Sequence, residues 1–316
     1  MSKTVILEPT NYSPKSIALY SQLGSVSSEA LEGEALDREL ADAEVIVLRL
    51  AFYIDAAFMD KAPKLKILAT PTTGLNHIDV VEAEKRGIRI ISLKGWREVT
   101  EKIYATSEHT IGLMLALLRK LPFAHNHVVA GGWDRNLFVG HEISGATIGM
   151  LGCGRLGFRV AEILDKMGAK VIAYDPYQKN IPTCVEMVSD LQAFLGRADI
   201  VSVHVYLTDE TTHMLSKQEF AWMKPGARLV NTARGQIIDE VALLEALESG
   251  HLAGAALDVL ENEAADGKFL EHNALRGFAA THDNLILTPH IGGATRESMA
   301  MTEDAIAGAV VEAMNE

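Results

Sequence analysis

Several features are scarce in this chain of 316 residues, and each scarcity excludes a class of protein. Only two cysteines occur, Cys153 and Cys184, so the sequence offers neither a disulfide framework nor a cysteine metal cluster, and we expect no bound metal. No run of about 18 apolar residues could span a membrane, and the first residues contain no apolar signal segment. These absences predict a cytoplasmic protein.

Positive charge is also in short supply. The 29 Lys and Arg residues are outnumbered by 42 Asp and Glu residues, which gives a net charge of −13. Such a surface would repel the phosphate backbone of a nucleic acid and the anionic face of a membrane, so we expect neither partner. A small anionic substrate is compatible with this balance, because it needs only local positive charge.

The composition that is present is typical of a globular α/β protein. Hydrophobic residues make up 48% of the chain and charged residues 22%, and the length suffices for two domains with separate cores. Short apolar segments alternate with helical stretches, which predicts parallel sheets. The predicted strands are 4–7, 44–50, 65–69, 88–93, 148–151, 171–174, 199–204, 228–231, 255–257 and 285–287.

The chain is organised around the stretch TIGMLGCGRLGFRVAEILDKMGAKVIAYD, residues 147–175. Its order of strand, glycine turn, helix, strand and acid predicts a dinucleotide site. Gly152 permits the tight turn, Gly154 lets the backbone approach a pyrophosphate, and Gly157 lets helix and strand pack closely. Free N–H groups at the start of the helix favour the negative diphosphate. Asp175 lies where an acid accepts hydrogen bonds from the adenosine ribose.

Asp175 also discriminates between the two nicotinamide cofactors. Its carboxylate would repel the 2′-phosphate of NADP, and no arginine follows it in Pro176, Tyr177 and Gln178. The sequence therefore predicts NAD as the cofactor.

Polar residues follow each predicted strand of the second half, and strand ends on one sheet edge converge on one cleft. Three of them, Arg234, Glu263 and His290, match the needs of hydride transfer to a 2-oxo acid. A histidine can donate the proton that the C2 oxygen requires, and a carboxylate beside it stabilises the charged imidazole and fixes its tautomer. A guanidinium binds the substrate carboxylate through its planar fork. Each residue also fits a solvated surface position, and Glu261 is an alternative to Glu263.

Other features have two interpretations. The N–H groups of Thr73 and Gly74, within TPTTGLNHID, could hold a carboxylate, although a plain loop fits equally well. Arg49 could bind a second substrate anion or form a surface ion pair. The helix predicted over 105–120 is apolar on nearly all sides, which indicates burial between domains, and His109 near its start is expected to be structural.

Longer motifs, in their order, resemble those of the D-isomer-specific 2-hydroxyacid dehydrogenases over nearly the whole chain. The final motif resembles the phosphoglycerate, glyoxylate and hydroxypyruvate reductase branch more than the lactate branch. The motifs are TTGLNHID (72–79), ATSEHTIGLMLALLRKLP (105–122), GCGRLG (152–157), DIVSVHVYLT (199–208), MKPGARLVNTARG (223–235), GAALDVLENE (254–263) and LTPHIGGAT (287–295).

The resemblance implies an NAD-dependent oxidoreductase that interconverts a D-2-hydroxy acid and its 2-oxo acid. It implies a Rossmann NAD-binding domain at 105–290, inserted in a flavodoxin-like substrate domain of 1–104 and 291–316, and a homodimer. Arg234 would bind the substrate carboxylate, Glu263 would tune the histidine, and His290 would be the general acid and base. The other implied contacts are Thr73 and Gly74 to substrate, Arg155 and Leu156 to the pyrophosphate, Asp175 to the ribose, His204 along the cofactor, and Thr232 and Asp258 near the nicotinamide.

The chain departs from the family pattern in several places. Tyr206 and Ala264 stand where the family usually has proline, the segment 265–284 is longer than usual, and the loop 95–104 differs and could shape substrate preference. An NAD-sensing corepressor-type protein of the same fold remains an alternative function. A relative of the formate dehydrogenases is disfavoured, because those enzymes pair the histidine with glutamine where this chain has Glu263.

Overall fold

Two parallel sheets form the framework of the computed structural model, which describes residues 2–263 and 267–316. The described residues divide into two compact units, the first formed by 2–103 and 294–316 and the second by 104–263 and 267–293. Within this part of the chain, no helix has the length and apolar character that crossing a membrane requires.

The first unit is built on a five-stranded sheet whose order is β2-β1-β3-β4-β5, the flavodoxin-like order. Its strands are β1 (Ser2–Ile6), β2 (Gly24–Ser27), β3 (Val45–Val47), β4 (Ile67–Thr70) and β5 (Arg89–Ser92). Its helices are α1 (Pro14–Tyr20), α2 (Gly33–Leu40), α3 (Ala56–Asp60), α4 (Val80–Lys85), α5 (Arg97–Thr100) and the last helix of the chain, α13 (Arg296–Asn315). The buried residues Ile306 and Val310 of α13 pack in one core with Val47 and Ala69 of the sheet, so the end of the chain completes this unit.

The second unit is built on a seven-stranded sheet whose order is β12-β11-β10-β9-β6-β7-β8, the Rossmann order extended by one strand. Its strands are β6 (Thr147–Leu151), β7 (Lys170–Tyr174), β8 (Val185–Met187), β9 (Ile200–Val203), β10 (Ala227–Asn231), β11 (Leu252–Leu257) and β12 (Leu285–Leu287). Its helices are α6 (Ala105–Leu118), α7 (Leu121–Val129), α8 (Arg155–Lys166), α9 (Leu191–Leu195), α10 (Lys217–Trp222), α11 (Glu240–Glu248) and α12 (Ala274–Ala279). The predicted combination of a Rossmann fold and a flavodoxin-like fold is thus confirmed.

Three local differences from the sequence-based expectations have physical causes. The strands β2 and β8 were not predicted, and both are edge strands in which polar residues interrupt the apolar pattern. The strand expected over 44–50 ends at Val47, because the carboxylate of Glu8 accepts hydrogen bonds from the N–H groups of residues 49–51. The helix expected over 105–120 ends at Leu118, and Lys120 adopts a left-handed conformation before α7 begins.

Candidate active site

Most of the site residues predicted from the sequence lie at the carboxyl edge of the second sheet. Because all seven strands are parallel, the residues that follow them lie along one edge. In strand order from β12 to β7, the residues that follow are Thr288, Asp258, Thr232, His204, Gly152 and Asp175.

The space around each glycine of the turn agrees with the role expected of that glycine in dinucleotide binding. Gly152 has φ +89°, and a Cβ there would lie 2.8 Å from the backbone N of Val205. A Cβ on Gly157 would lie 2.3 Å from the carbonyl oxygen of Gly152, so helix and turn are in direct contact. A Cβ on Gly154 would meet nothing within 4 Å, which leaves the backbone there open to a ligand. The first turn of α8 contains no acidic residue and no side-chain cap, so its N–H groups and dipole favour an anion.

Asp175 ties the glycine turn to the end of β7. One carboxylate oxygen accepts from the N–H of Cys153 at 2.8 Å, and the other accepts from the N–H groups of Tyr177 and Gln178 at 3.0 Å each. Burial, with a smaller contribution from Asp175, raises the pKa of the Cys153 thiol to about 11, which leaves it neutral. Cys153 is therefore a packed side chain, as its position in the turn indicated.

His204 and Thr232 are fixed by polar contacts inside the sheet edge. The Nε2 of His204 lies 2.8 Å from Oγ of Ser202, and burial lowers the pKa of this histidine to about 4, so the ring is neutral at pH 7. The hydroxyl of Thr232 is buried and lies 2.8 Å from the hydroxyl of Thr110, which α6 supplies. Their predicted contacts with the cofactor remain predictions.

The structure brings His290 and Glu263 together. Nδ1 of His290 lies 2.7 Å from Oε1 of Glu263, and each side chain is partly exposed. The rival carboxylate, Glu261, instead lies 2.8 Å from Nε2 of His213. Glu263 is therefore the carboxylate that faces the proposed acid and base. The residue after it, Ala264, and the start of the segment 265–284 lie outside the described residues.

His290 has a backbone conformation that is uncommon for a residue other than glycine. Its φ is +53°, in the left-handed region, and its N–H donates to the carbonyl oxygen of Asp258 at 2.8 Å. Such strain persists where the surroundings fix it, and it is frequent at functional sites. An ionised carboxylate can only accept, so beside Glu263 the neutral ring carries its proton on Nδ1 and its lone pair on Nε2.

Arg234 follows β10 on a turn that Asn231 shapes. The buried amide of Asn231 donates to the carbonyl oxygen of Arg234 at 2.8 Å and accepts from the N–H of Ala233 at 2.9 Å. Burial lowers the pKa of Arg234 from its usual value and the carboxylate of Glu263 opposes that lowering, so the guanidinium remains charged at neutral pH.

Asp258 holds the histidine loop in place, a role that sequence reasoning missed. Its carboxylate accepts from the N–H groups of Ile291 at 2.9 Å and Gly292 at 2.7 Å, and from the hydroxyl of Thr288 at 2.6 Å. Its fourth partner is Nε2 of His109, at 3.1 Å, so His109 makes structural contacts as expected. Burial alone would raise the pKa of Asp258, but the hydrogen bonds outweigh it and hold the pKa below the usual value.

The remaining residues that were predicted to contact the substrate come from the N-terminal part of the sequence, and they lie in the first unit. Thr73 and Gly74 follow β4, in a turn closed by a hydrogen bond of 2.8 Å from the hydroxyl of Thr72 to the carbonyl oxygen of Gly74. Arg49 pairs with Glu303 of α13, which is only 1% exposed. The ion-pair interpretation of Arg49 is therefore correct, although its partner is buried and does not lie on the surface.

Comparison with known proteins gives one family model and many relatives. The model described as D-isomer specific 2-hydroxyacid dehydrogenase, NAD binding domain, matches residues 111–292, more than half of the chain. A D-3-phosphoglycerate dehydrogenase of Archaeoglobus fulgidus is 38% identical over 283 residues, which are 86% of this chain and 51% of that protein. A glyoxylate reductase of Thermofilum pendens is 38% identical over 272 residues, 84% of this chain and 76% of that protein.

A solved structure agrees with these matches. D-lactate dehydrogenase from Aquifex aeolicus, complexed with NAD and lactic acid, superposes with a TM-score of 0.82 at 27% identity, covering 98% of this chain and 94% of that chain. This chain spans about half the length of the phosphoglycerate dehydrogenase that it matches. The match to an NAD-binding family model confirms the predicted cofactor.

Proposed function

We propose a function for this chain from the premise that it belongs to the D-isomer specific 2-hydroxyacid dehydrogenase family. It is an NAD-dependent oxidoreductase that interconverts a small D-2-hydroxy acid and its 2-oxo acid. The observation that carries the proposal is the 2.7 Å contact between His290 and Glu263, on the sheet edge that also holds the dinucleotide turn. An NAD-sensing binding protein would need the turn and Asp175, but it has no need of a histidine held in one tautomer.

Each of the proposed catalytic residues in the second unit has a separate role in the reaction. NAD, when bound, supplies or accepts the hydride. In the reducing direction negative charge develops on the C2 oxygen, and Nε2 of His290 donates a proton to it, while Glu263 stabilises the imidazole in its charged form. Arg234 binds the substrate carboxylate and polarises the carbonyl group. In the oxidising direction the same histidine accepts the hydroxyl proton.

The loop after β4 supports a second contact with the substrate. Among the described residues, the N–H groups of Thr73 and Gly74 donate to no protein acceptor, so they are available to an anion. We propose that these two N–H groups bind an anionic group of the substrate.

The function is tested with a panel of acids. The purified chain is mixed with NADH and glyoxylate, hydroxypyruvate or pyruvate, and with NAD and D-3-phosphoglycerate, D-lactate or L-lactate, while NADH absorbance is followed. Turnover of at least one acid is expected, with strong preference for the D isomer. Tight NADH binding without turnover of any acid would instead favour the NAD-sensing alternative.

The cofactor preference gives the first prediction. Asp175→Ala is expected to raise the ratio of kcat/KM with NADPH to that with NADH by about tenfold or more, because the charge that repels a 2′-phosphate is lost. Asp175→Asn is the matched variant, since its amide oxygen can still accept from the N–H groups of Tyr177 and Gln178. An unchanged ratio in both variants would refute the proposed ribose contact.

We also propose that the chain associates with a second copy of itself through a patch on and after α7. Apolar side chains there are exposed to an extent that is unusual for a monomer. Val129 is 73% exposed and Trp133 89% exposed. We name the α7 patch as Leu121, Val128, Val129, Trp133, Leu137 and Val139.

The proposed association through the α7 patch is tested by sedimentation equilibrium, which is expected to give about twice the chain mass of 34.3 kDa. The double variant Val129→Glu and Trp133→Glu should shift the mass to that of one chain, because it places charge in an apolar interface. Val241→Glu is the control, since Val241 is equally exposed but lies on α11, outside the patch. Dimers that survive the double variant would place the interface elsewhere.

A further inference from the structure

Two loops that carry proposed catalytic residues are linked by side chains outside the catalytic group. We name the arginine turn as residues 231–236, which carry Arg234, and the glutamate segment as residues 258–263. We propose that Gln236 and Glu240 are positioning residues that hold the glutamate segment against the arginine turn and thereby keep Glu263 in contact with His290. This inference rests on the proposed function.

The link is made through the backbone of Glu261. Nε2 of Gln236 donates to the carbonyl oxygen of Glu261 at 2.6 Å, and the N–H of Glu261 donates to Oε1 of Glu240 at 2.8 Å. Both backbone polar groups of this residue therefore bind side chains that follow Arg234 closely in the sequence. The position of the glutamate segment is fixed by Gln236 and Glu240 without a regular strand or helix.

The two backbones are also in direct contact. A Cβ on Gly235, the residue after Arg234, would lie 2.0 Å from the carbonyl carbon of Leu260. The arginine turn therefore packs directly on the glutamate segment, and the hydrogen bond from Gln236 to Glu261 holds the turn there, while Glu240 of α11 holds the other side of Glu261. A displacement of either loop changes the distance between Arg234 and Glu263.

Glu240 and Gln236 each make a further contact, Glu240 through its side chain and Gln236 through its backbone. The second carboxylate oxygen of Glu240 accepts from Nδ2 of Asn273 at 3.0 Å. The backbone of Gln236 accepts from the N–H of His213 at 2.8 Å, and the ring of His213 lies 2.8 Å from the carboxylate of Glu261. The arrangement is a closed set of contacts that surrounds Glu261 on its backbone and its side chain.

The position of the Glu263 side chain depends on its backbone. Among the described residues, its hydrogen bonds are Oε1 to His290 at 2.7 Å and Oε2 from the N–H of Leu260 at 3.5 Å, and its carboxylate also interacts with the charge of Arg234. A misplacement of about 1 Å in a catalytic group can cost about 100-fold in rate. The contact with His290 therefore depends on where the backbone two residues earlier is held.

The kinetic test compares removal with conservative replacement. Gln236→Ala and Glu240→Ala are expected to lower kcat with the best 2-oxo acid by about tenfold or more, with the KM for NADH within about twofold of the wild type. Their pH profiles of kcat should change in the same direction as that of Glu263→Gln. Glu240→Gln should retain near-normal kcat, because its amide oxygen still accepts from Glu261. The control is Glu245→Gln, on the same helix as Glu240, which alters an exposed ion pair with Lys217 of α10.

A second readout does not depend on turnover. Hydrogen exchange of the Glu261 amide, measured by NMR, is expected to be at least tenfold faster in Glu240→Ala than in the wild type and unchanged in Glu245→Gln. Faster exchange with normal kcat, or a fall in thermal stability with an unchanged pH profile, would overturn the positioning role. If the wild type turns over no acid, the proposed function fails, and the exchange data alone decide whether Glu240 holds the segment.

Discussion

Replacing His290 by asparagine is expected to lower kcat with the best 2-oxo acid by about 10²–10⁴-fold, the usual contribution of a general acid. Asparagine is the appropriate replacement, because it tolerates the left-handed conformation that the structure gives this residue, at φ +53°. The dissociation constant for NADH should change by less than about twofold, since the glycine turn and Asp175 lie on other strands. Steady-state loss of NADH absorbance and fluorescence titration of NADH measure the two quantities.

The controls separate lost chemistry from lost structure. His272→Ala removes an exposed histidine from the same unit and should leave kcat unchanged. Glu263→Gln should lower kcat by less than His290→Asn, because the proton donor remains and only its charged partner is lost. If His290→Asn turned over the best acid at a near-normal rate, the histidine would not be the general acid.

The proposed site could be predicted from the sequence because strand ends and glycine turns are local signals. Gly152, Asp175 and Arg234 each follow a buried apolar strand, and parallel strands place their carboxyl ends on one edge. The edge strands β2 and β8 could not be found in the same way, because one exposed edge relaxes the requirement for apolar residues.

Contacts between residues that are far apart in the sequence could not be predicted from local sequence signals. Glu261 and Glu263 have the same chemistry two residues apart, and only the contacts of the folded segment show which of them faces His290. His109 and Asp258 are separated by 149 residues, and nothing in either local sequence indicates their contact. Asp258 was assigned to the cofactor from family resemblance, whereas its described contacts are with the loop that carries the histidine.

The second large effect is expected in the stability of the first unit. Arg49→Ala should lower the free energy of unfolding of this unit by about 3–5 kcal/mol, because it leaves a buried carboxylate without its cation. Nε of Arg49 donates to Glu303 at 3.0 Å, and Glu303 is 1% exposed. The other oxygen of Glu303 accepts from the N–H of Ser13 at 2.7 Å, so the pair joins α13 to the rest of the unit. Native-state hydrogen exchange of residues 296–315 in the full chain measures the loss.

The pH dependence of that loss identifies its cause. Burial raises the pKa of Glu303, while the contacts with Ser13 and Arg49 oppose the rise, so removal of Arg49 moves this pKa further above its unfolded value. A carboxyl group whose pKa is raised by folding lowers the free energy of unfolding. This destabilisation is smallest below the unfolded pKa and grows as the pH rises toward the folded pKa. The difference between Arg49→Ala and the wild type should therefore be larger at pH 7 than near pH 4. Lys64→Ala, which breaks an exposed pair with Asp42, should leave the unfolding free energy unchanged. A loss in Arg49→Ala that did not vary with pH would point to lost packing over the ring of Tyr12 and away from an unpaired charge.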